Sequence, residues 1–166
     1  MEQIYMKNST LNITRAAIIA ALYVMLTYLS FIFGLSSNVV QIRLSEMLTI
    51  LPAFTISAVP GLFIGCLLSN ILTGATVIDI IFGSVATLIG AFGTYLLGKK
   101  SKFLAPLPPV IANTVIIPFV LHYSYNLNPL VLFFLTVFIG EFVSCYILGI
   151  PFYMFMKKNS KRLGLK

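Results

Sequence analysis

The chain has 166 residues, of which 59% are hydrophobic and only 9% are charged, and its formal net charge is +7. Soluble domains carry about 25% charged residues, so this composition excludes a water-soluble globular protein and indicates an integral membrane protein. The chain is too short to hold a nucleotide-hydrolysing domain beside its spans and has no G-x-x-x-x-G-K-[ST] loop. Active transport would therefore depend on an ion gradient or on partner subunits.

The apolar runs predict the fold. A hydrocarbon core about 30 Å thick needs about 20 apolar residues per helix. In chain order the predicted spans cover about 15–35, 44–59, 61–73, 77–97, 107–124 and 130–156. We therefore predict an all-α integral membrane protein with six transmembrane helices in a single transmembrane domain, residues 1–166. The second and third spans are short for a full crossing.

The first predicted span begins with small residues four apart, after Asn12 or Thr14 as its N-cap. The small residues are Ala16, Ala17, Ala20 and Ala21. Such spacing lets another helix backbone approach closely. It predicts either a face that docks on a partner protein or a face that packs within this chain.

The basic residues predict the orientation. With six spans, the N-terminus, the loop 98–102 and the C-terminus fall on one side of the membrane. Of the 11 lysines and arginines, only Arg43 falls on the other side. The positive-inside bias then predicts that both termini are cytoplasmic. The net positive charge is explained by topology and by contact with lipid headgroups, so we predict no nucleic-acid partner.

Several polar side chains lie inside or at the edges of the apolar runs. Ionisable residues are costly in a membrane and usually functional there. The candidate substrate-binding residues are Arg43, Glu46, Asn70, Asp79, Asn113 and Glu141. Most of them fall in the predicted outer half, beneath uncharged loops, which favours a cavity that captures a solute from outside. Glu141 is the hardest to explain structurally, because it lies in mid-span with no basic residue in its own helix.

Four of these residues have local explanations. Arg43 and Glu46 are three residues apart and could pair on one helix face. Asn70 could cap the end of its helix, and Asp79 could stabilise the start of the next. Their spacing alone does not decide between these roles and ligand binding.

An enzyme or a metal centre is not predicted. The only histidine, His122, would share a cavity with Asn113 only if Pro118 bends the fifth span. No cysteine pair has metal-ligand spacing and there is no G-x-S-x-G elbow, so we predict no catalytic residue, metal or cofactor. The alternative to a substrate-capturing subunit is a self-sufficient, proton-coupled small-molecule transporter that uses Glu141.

The central block carries a family resemblance. The segments QIRLSEMLTILPAF, AVPGLFIGCLLSNILTG and DIIFGSVATLIGAFGTYL resemble the queuosine-precursor transporter (QueT) family, whose members are substrate-binding (S) components of energy-coupling factor (ECF) transporters. The resemblance implies a multi-pass protein of the bacterial plasma membrane that holds a 7-deazaguanine such as preQ0 or preQ1 on the outer side. It also implies docking on a transmembrane scaffold subunit that is driven by two ATPase subunits. The four alanines match the small-residue pattern used for that docking.

The candidate residues suit such a solute. A guanine-like edge presents two adjacent N–H donors, which one carboxylate can accept side by side, and the cationic aminomethyl arm of preQ1 would favour a second carboxylate. Amides can serve the remaining donors and acceptors of the ring. We therefore predict Glu46 and Glu141 as the principal carboxylates and Asp79 as the third, without deciding which one contacts the ring edge.

Overall fold

The computed structural model describes residues 2–35, 40–125 and 129–164. In chain order these residues form α1 (Glu2–Ile32), a 3-10 helix (Leu44–Ala53), α2 (Ala58–Leu72), α3 (Val77–Leu97), α4 (Leu107–Tyr125), α5 (Leu130–Glu141) and α6 (Gly149–Asn159). A π-helical segment, Phe142–Leu148, joins α5 to α6. The predicted all-α fold is confirmed. Four stretches are long and apolar enough to cross a membrane: Ser9–Ile32, Val77–Leu97, Leu107–Ser124 and Leu130–Asn159.

The first helix begins earlier than the sequence predicts. It starts at Glu2, so Asn12 and Thr14 lie inside α1 instead of capping it. Asn12 accepts a hydrogen bond from Ser57 Oγ across 3.1 Å. The apolar run marks only the part of the helix that suits a membrane. No proline or glycine interrupts the polar residues before it, so the helix continues through them.

The second predicted span, 44–59, is instead a ten-residue 3-10 helix. At about 2.0 Å per residue it is about 20 Å long, which is too short for a hydrocarbon core of about 30 Å. Pro52 lies inside it and has no N–H to donate. Eight of its ten residues are buried, so it forms the centre of the bundle. The next helix begins at Ala58, three residues before the predicted start at 61.

Two glycines bring α2 onto α1. A Cβ at Gly61 would lie 2.7 Å from the carbonyl oxygen of Ala16, and one at Gly65 would lie 3.1 Å from that of Ala20. The backbones of the two helices are therefore in direct contact. Two of the four predicted docking alanines, Ala16 and Ala20, thus contact α2.

The bundle has a basic end and a polar end. At the basic end, Arg15 donates to the carbonyl oxygen of Gly164 across 2.8 Å, and the Tyr153 hydroxyl donates to that of Gly98 across 3.2 Å. Both contacts bring the region near the N-terminus, the basic loop and the C-terminal segment together. The opposite end holds the start of the 3-10 helix and the α2–α3 turn. A buried apolar core lies between the two ends and includes Leu48, Ile50, Leu51, Phe54 and Leu62.

Candidate ligand-binding site

A small polar cavity lies where the 3-10 helix, α3, α4 and α5 meet. Its volume is about 20 Å³, which is room for about one water molecule. Four of the six predicted binding residues line it, namely Arg43, Glu46, Asn113 and Glu141. The remaining lining residues are Gln41, Gly83, Thr87, Ile117 and Val137.

Glu46 lines this cavity and has one carboxylate oxygen without a partner in the described part of the chain. Its Oε1 accepts a hydrogen bond from the Tyr23 hydroxyl on α1. Its Oε2 has no hydrogen-bond partner within the described residues, and the side chain is only 1% exposed. The start of the 3-10 helix is held by α1 as well, because Thr27 donates to Ser45 Oγ across 2.8 Å. A buried carboxylate oxygen without a partner is costly, so this atom indicates a place for a ligand.

Glu141 faces Glu46 from α5. It is the last residue of α5, where the backbone changes to the π-helical segment, a local geometry that is frequent at functional sites. Asn113, on α4, lines the same cavity. The Cys145 thiol donates to Glu141 Oε2 across 3.5 Å.

The two carboxylates are close enough to act together. One oxygen from each of Glu46 and Glu141, and Cys145 Sγ, all lie within 4.8 Å of one another. Two carboxylates at this distance repel each other when both are ionised. A proton, a metal ion or the ammonium group of a ligand would relieve that repulsion. Glu141 and Cys145 are four residues apart, whereas Glu46 comes from a distant part of the chain, so the sequence alone does not show that the three groups meet.

Arg43 pairs across the bundle. Its Nη2 lies 3.7 Å from Asp79 Oδ2, which makes this an ion pair between the start of the 3-10 helix and α3. Arg43 precedes the 3-10 helix and has an extended backbone. The local pairing with Glu46 that the spacing allows is therefore not the one that forms. Glu46 bonds to Tyr23 instead.

Asp79 and Asn70 lie behind the cavity and do not line it. Thr76 caps α3, because the Asp79 backbone N–H donates to Thr76 Oγ1 across 3.3 Å. Asn70 Nδ2 donates to the Asp79 carbonyl oxygen, also across 3.3 Å. Gly83 leaves room for this pair, since a Cβ there would lie 2.9 Å from Asp79 Oδ1. Asp79 therefore holds Arg43 through the ion pair, and Asn70 in turn holds Asp79.

Gly140 lets the segment before the 3-10 helix reach the cavity. A Cβ at this position would overlap the carbonyl oxygen of Gln41 and would lie 3.0 Å from its carbonyl carbon. The Gln41 backbone can therefore approach α5 this closely because residue 140 has no side chain.

His122 is not among the residues that line this cavity. Its ring contacts that of Tyr123, with centroids 5.2 Å apart. His122 therefore does not share this cavity with Asn113 in the described part of the chain.

A long groove runs along α1 and α2. Its volume is about 1360 Å³, and all four predicted docking alanines line it. Ala17 and Ala21 are exposed, whereas Ala20 is only 7% exposed because it packs on α2.

The sequence did not single out Tyr23, Gln41 or Cys145. Cys145 lies four residues after Glu141, and that helical spacing could have identified it as a neighbour. A buried tyrosine hydroxyl needs a partner, but the sequence does not say which. Gln41 has no distinctive signal of its own.

Comparisons with known proteins give a consistent result. A family model described as QueT transporter matches residues 13–158. A curated protein of Lactococcus lactis subsp. cremoris (strain MG1363), "Queuosine precursor transporter QueT", is 39% identical over 83 residues. The aligned residues are 50% of this chain and 48% of that protein, so they span about half the length of the relative. No solved structure matches the chain.

Proposed function

Since this chain belongs to the QueT transporter family and is a multi-pass protein of the bacterial cell membrane, we propose that it captures a queuosine precursor for uptake. The proposed ligand is a 7-deazaguanine such as preQ0 or preQ1, in agreement with the printed name of the L. lactis relative. In this proposal the chain is the S component of an ECF transporter. A scaffold subunit and two ATPase subunits supply the energy, and both termini lie in the cytoplasm.

The polar cavity carries this proposal. Arg43, Glu46, Asn113 and Glu141 converge there from three separate parts of the chain. Charged groups inside a membrane protein are costly, and they usually mark a functional site. Two carboxylates, an amide and a guanidinium match the donors and acceptors of a purine-like ring.

The cavity must enlarge before such a ligand enters. Its volume of about 20 Å³ is far below the roughly 300–1,000 Å³ of typical ligand pockets. Gln41 and Arg43 belong to a segment that precedes the 3-10 helix. We infer that this wall moves away from α5, so that the ligand replaces the contacts that now close the site.

The orientation and the docking face follow from the same proposal. The contact of Arg15 with Gly164 places basic residues from both halves of the chain at one end, which the positive-inside bias assigns to the cytoplasm. The candidate site then lies toward the outside. Ala17 and Ala21 are the exposed half of the alanine pattern and would contact the scaffold subunit. Ala16 and Ala20 serve the contact with α2.

A proton-coupled transporter is the rival interpretation. Its support is the closeness of Glu46 and Glu141, which could share a proton. A proton path would also need titratable groups toward the basic end, yet the buried carboxylates among the described residues, Glu46, Asp79 and Glu141, all lie in or beside the candidate site. The arrangement therefore favours capture of a solute over proton transfer across the membrane.

A binding titration of the purified protein tests the proposal. The ligands are preQ1, preQ0, queuine, guanine and an unrelated vitamin. We expect at least one 7-deazaguanine to bind with a Kd well below about 1 μM. Glu141→Gln should weaken that binding at least tenfold, about 1.4 kcal/mol. Glu2→Gln, the same chemical change at the start of α1, is the matched control. Binding of the vitamin but of no deazaguanine would refute the substrate assignment.

A further inference from the structure

The candidate site contains more negative than positive groups. Among the described residues of the cavity wall, Arg43 is the only cationic one, whereas both Glu46 and Glu141 contribute carboxylates. The Arg43 guanidinium already pairs with Asp79 behind the wall. Within the described residues, neither wall carboxylate has a cationic partner inside 4.0 Å.

We propose that the site selects a ligand that carries a cationic amine, and that Glu46 and Glu141 divide the recognition between them. Glu46 Oε2 would bind the ammonium group, and Glu141 would accept the neutral N–H edge of the ring. This inference rests on the proposed function and deepens it, because it chooses between a charged and an uncharged 7-deazaguanine.

The hydrogen bonds of the two carboxylates decide this division. Side-by-side acceptance of two ring N–H groups needs both oxygens of one carboxylate. Glu46 supplies both less readily than Glu141, because its Oε1 already accepts the Tyr23 hydroxyl and keeps only one lone-pair site for a further donor. Its single free oxygen, Oε2, suits a point charge such as an ammonium group.

Glu141 is better placed for the ring edge. Its contact with Cys145 is a 3.5 Å thiol hydrogen bond, and a thiol is a weak donor. The Asn113 amide lines the same cavity and would bind the ring beside Glu141. A ligand can replace the thiol contact on Glu141 more readily than the Tyr23–Glu46 bond.

The charge of the ligand then controls affinity. A neutral ligand leaves Glu46 Oε2 buried and unpaired, which carries a desolvation penalty. A cationic ligand forms a charge-assisted hydrogen bond there, and such bonds are about twice as strong as neutral ones. The cation also relieves the repulsion between two carboxylates whose oxygens lie within 4.8 Å of each other.

The test compares preQ1, which has an aminomethyl arm, with preQ0, which has an uncharged nitrile at the same ring position. We expect the wild-type protein to bind preQ1 at least tenfold more tightly, about 1.4 kcal/mol. Glu46→Gln should bring the preQ1-to-preQ0 affinity ratio close to one while preQ0 still binds. Glu141→Gln should weaken both ligands by a similar factor and keep the ratio. Glu2→Gln should change neither affinity.

Other outcomes would overturn the inference. Equal affinities in the wild-type protein would refute charge selection, and this measurement needs no variant to fold. A ratio that is lost in Glu141→Gln and kept in Glu46→Gln would reverse the assignment. Loss of preQ1 binding in EDTA would show that a metal ion is the cation between the carboxylates. In each of these cases a deazaguanine still binds the wild-type protein under metal-replete conditions. If neither deazaguanine binds a folded wild-type protein, the proposed function itself fails.

Discussion

Gly140→Ala gives a direct test of how the cavity wall is built. The added methyl group would overlap the Gln41 carbonyl oxygen and lie 3.0 Å from its carbonyl carbon. These are backbone atoms, so no side-chain rotation relieves the contact. The segment with Gln41 and Arg43 must move away from α5 by about 1 Å to restore ordinary packing distances.

The expected cost follows from two opposing terms. Overpacking costs about 1–3 kcal/mol, and a backbone clash belongs near the upper limit. Replacing a helical glycine by alanine returns about 1 kcal/mol. The net loss is about 2 kcal/mol, which lowers Tm by about 4–8 °C for a chain of this size. Because the ligand also needs this wall to move away from α5, the variant has less opening left to complete, and we expect deazaguanine affinity to rise.

Gly149→Ala is the matched control in the same span. A Cβ there would lie 3.4 Å from Ile50 Cγ2 and 3.9 Å from the Met47 carbonyl oxygen, which are ordinary contacts. This variant should therefore raise Tm by about 2–4 °C, from about 1 kcal/mol of helix propensity. Thermal unfolding in detergent and a ligand titration measure both variants. Equal Tm values and equal affinities for the two variants would refute the close contact between Gln41 and α5.

Three further predictions concern the supports of the site and the docking face. Tyr23→Phe leaves Glu46 Oε1 without its donor and should destabilise the ligand-free protein by about 1–3 kcal/mol, measured as a lower Tm; an unchanged Tm would contradict that bond. Asp79→Asn should weaken preQ1 and preQ0 alike, measured by titration, because Arg43 loses its ion pair; a change in only one affinity would count against a supporting role. Ala21→Phe should abolish cellular uptake but not ligand binding by the purified protein. The control Val115→Phe, at an exposed position on α4 outside the groove, should leave uptake and binding intact. If the Ala21→Phe variant takes up ligand as well as the control does, this docking face is excluded.

Some of the fold could be predicted closely because local signals and burial agree. The span predicted at 77–97 is the helix Val77–Leu97. Thr76 caps its start, and Gly74 makes the preceding turn with a φ of 71°, a conformation that glycine adopts readily. The apolar run then extends for a full membrane crossing.

Other parts could not be predicted from local signals. The 3-10 helix is surrounded by other elements, so its shape depends on packing that the sequence does not display. Its ten residues exceed the usual length of such helices. Hydropathy also could not locate the start of α1, because it shows only which residues are apolar and the first turns of this helix are polar.

The polar residues of the site were identified from the cost of placing them in a membrane, but their partners were not. Sequence spacing allows Arg43 and Glu46 to pair on one helix face but does not decide whether they do. In the structure they do not pair with each other: Arg43 forms an ion pair with Asp79, and Glu46 accepts a hydrogen bond from Tyr23. A local ion pair would have occupied the Glu46 carboxylate, whereas the bond to Tyr23 occupies only one of its oxygens. Because the tyrosine is neutral, the negative charge of the ionised carboxylate stays available to a ligand. The features that make this cavity a candidate site therefore arise from long-range pairing.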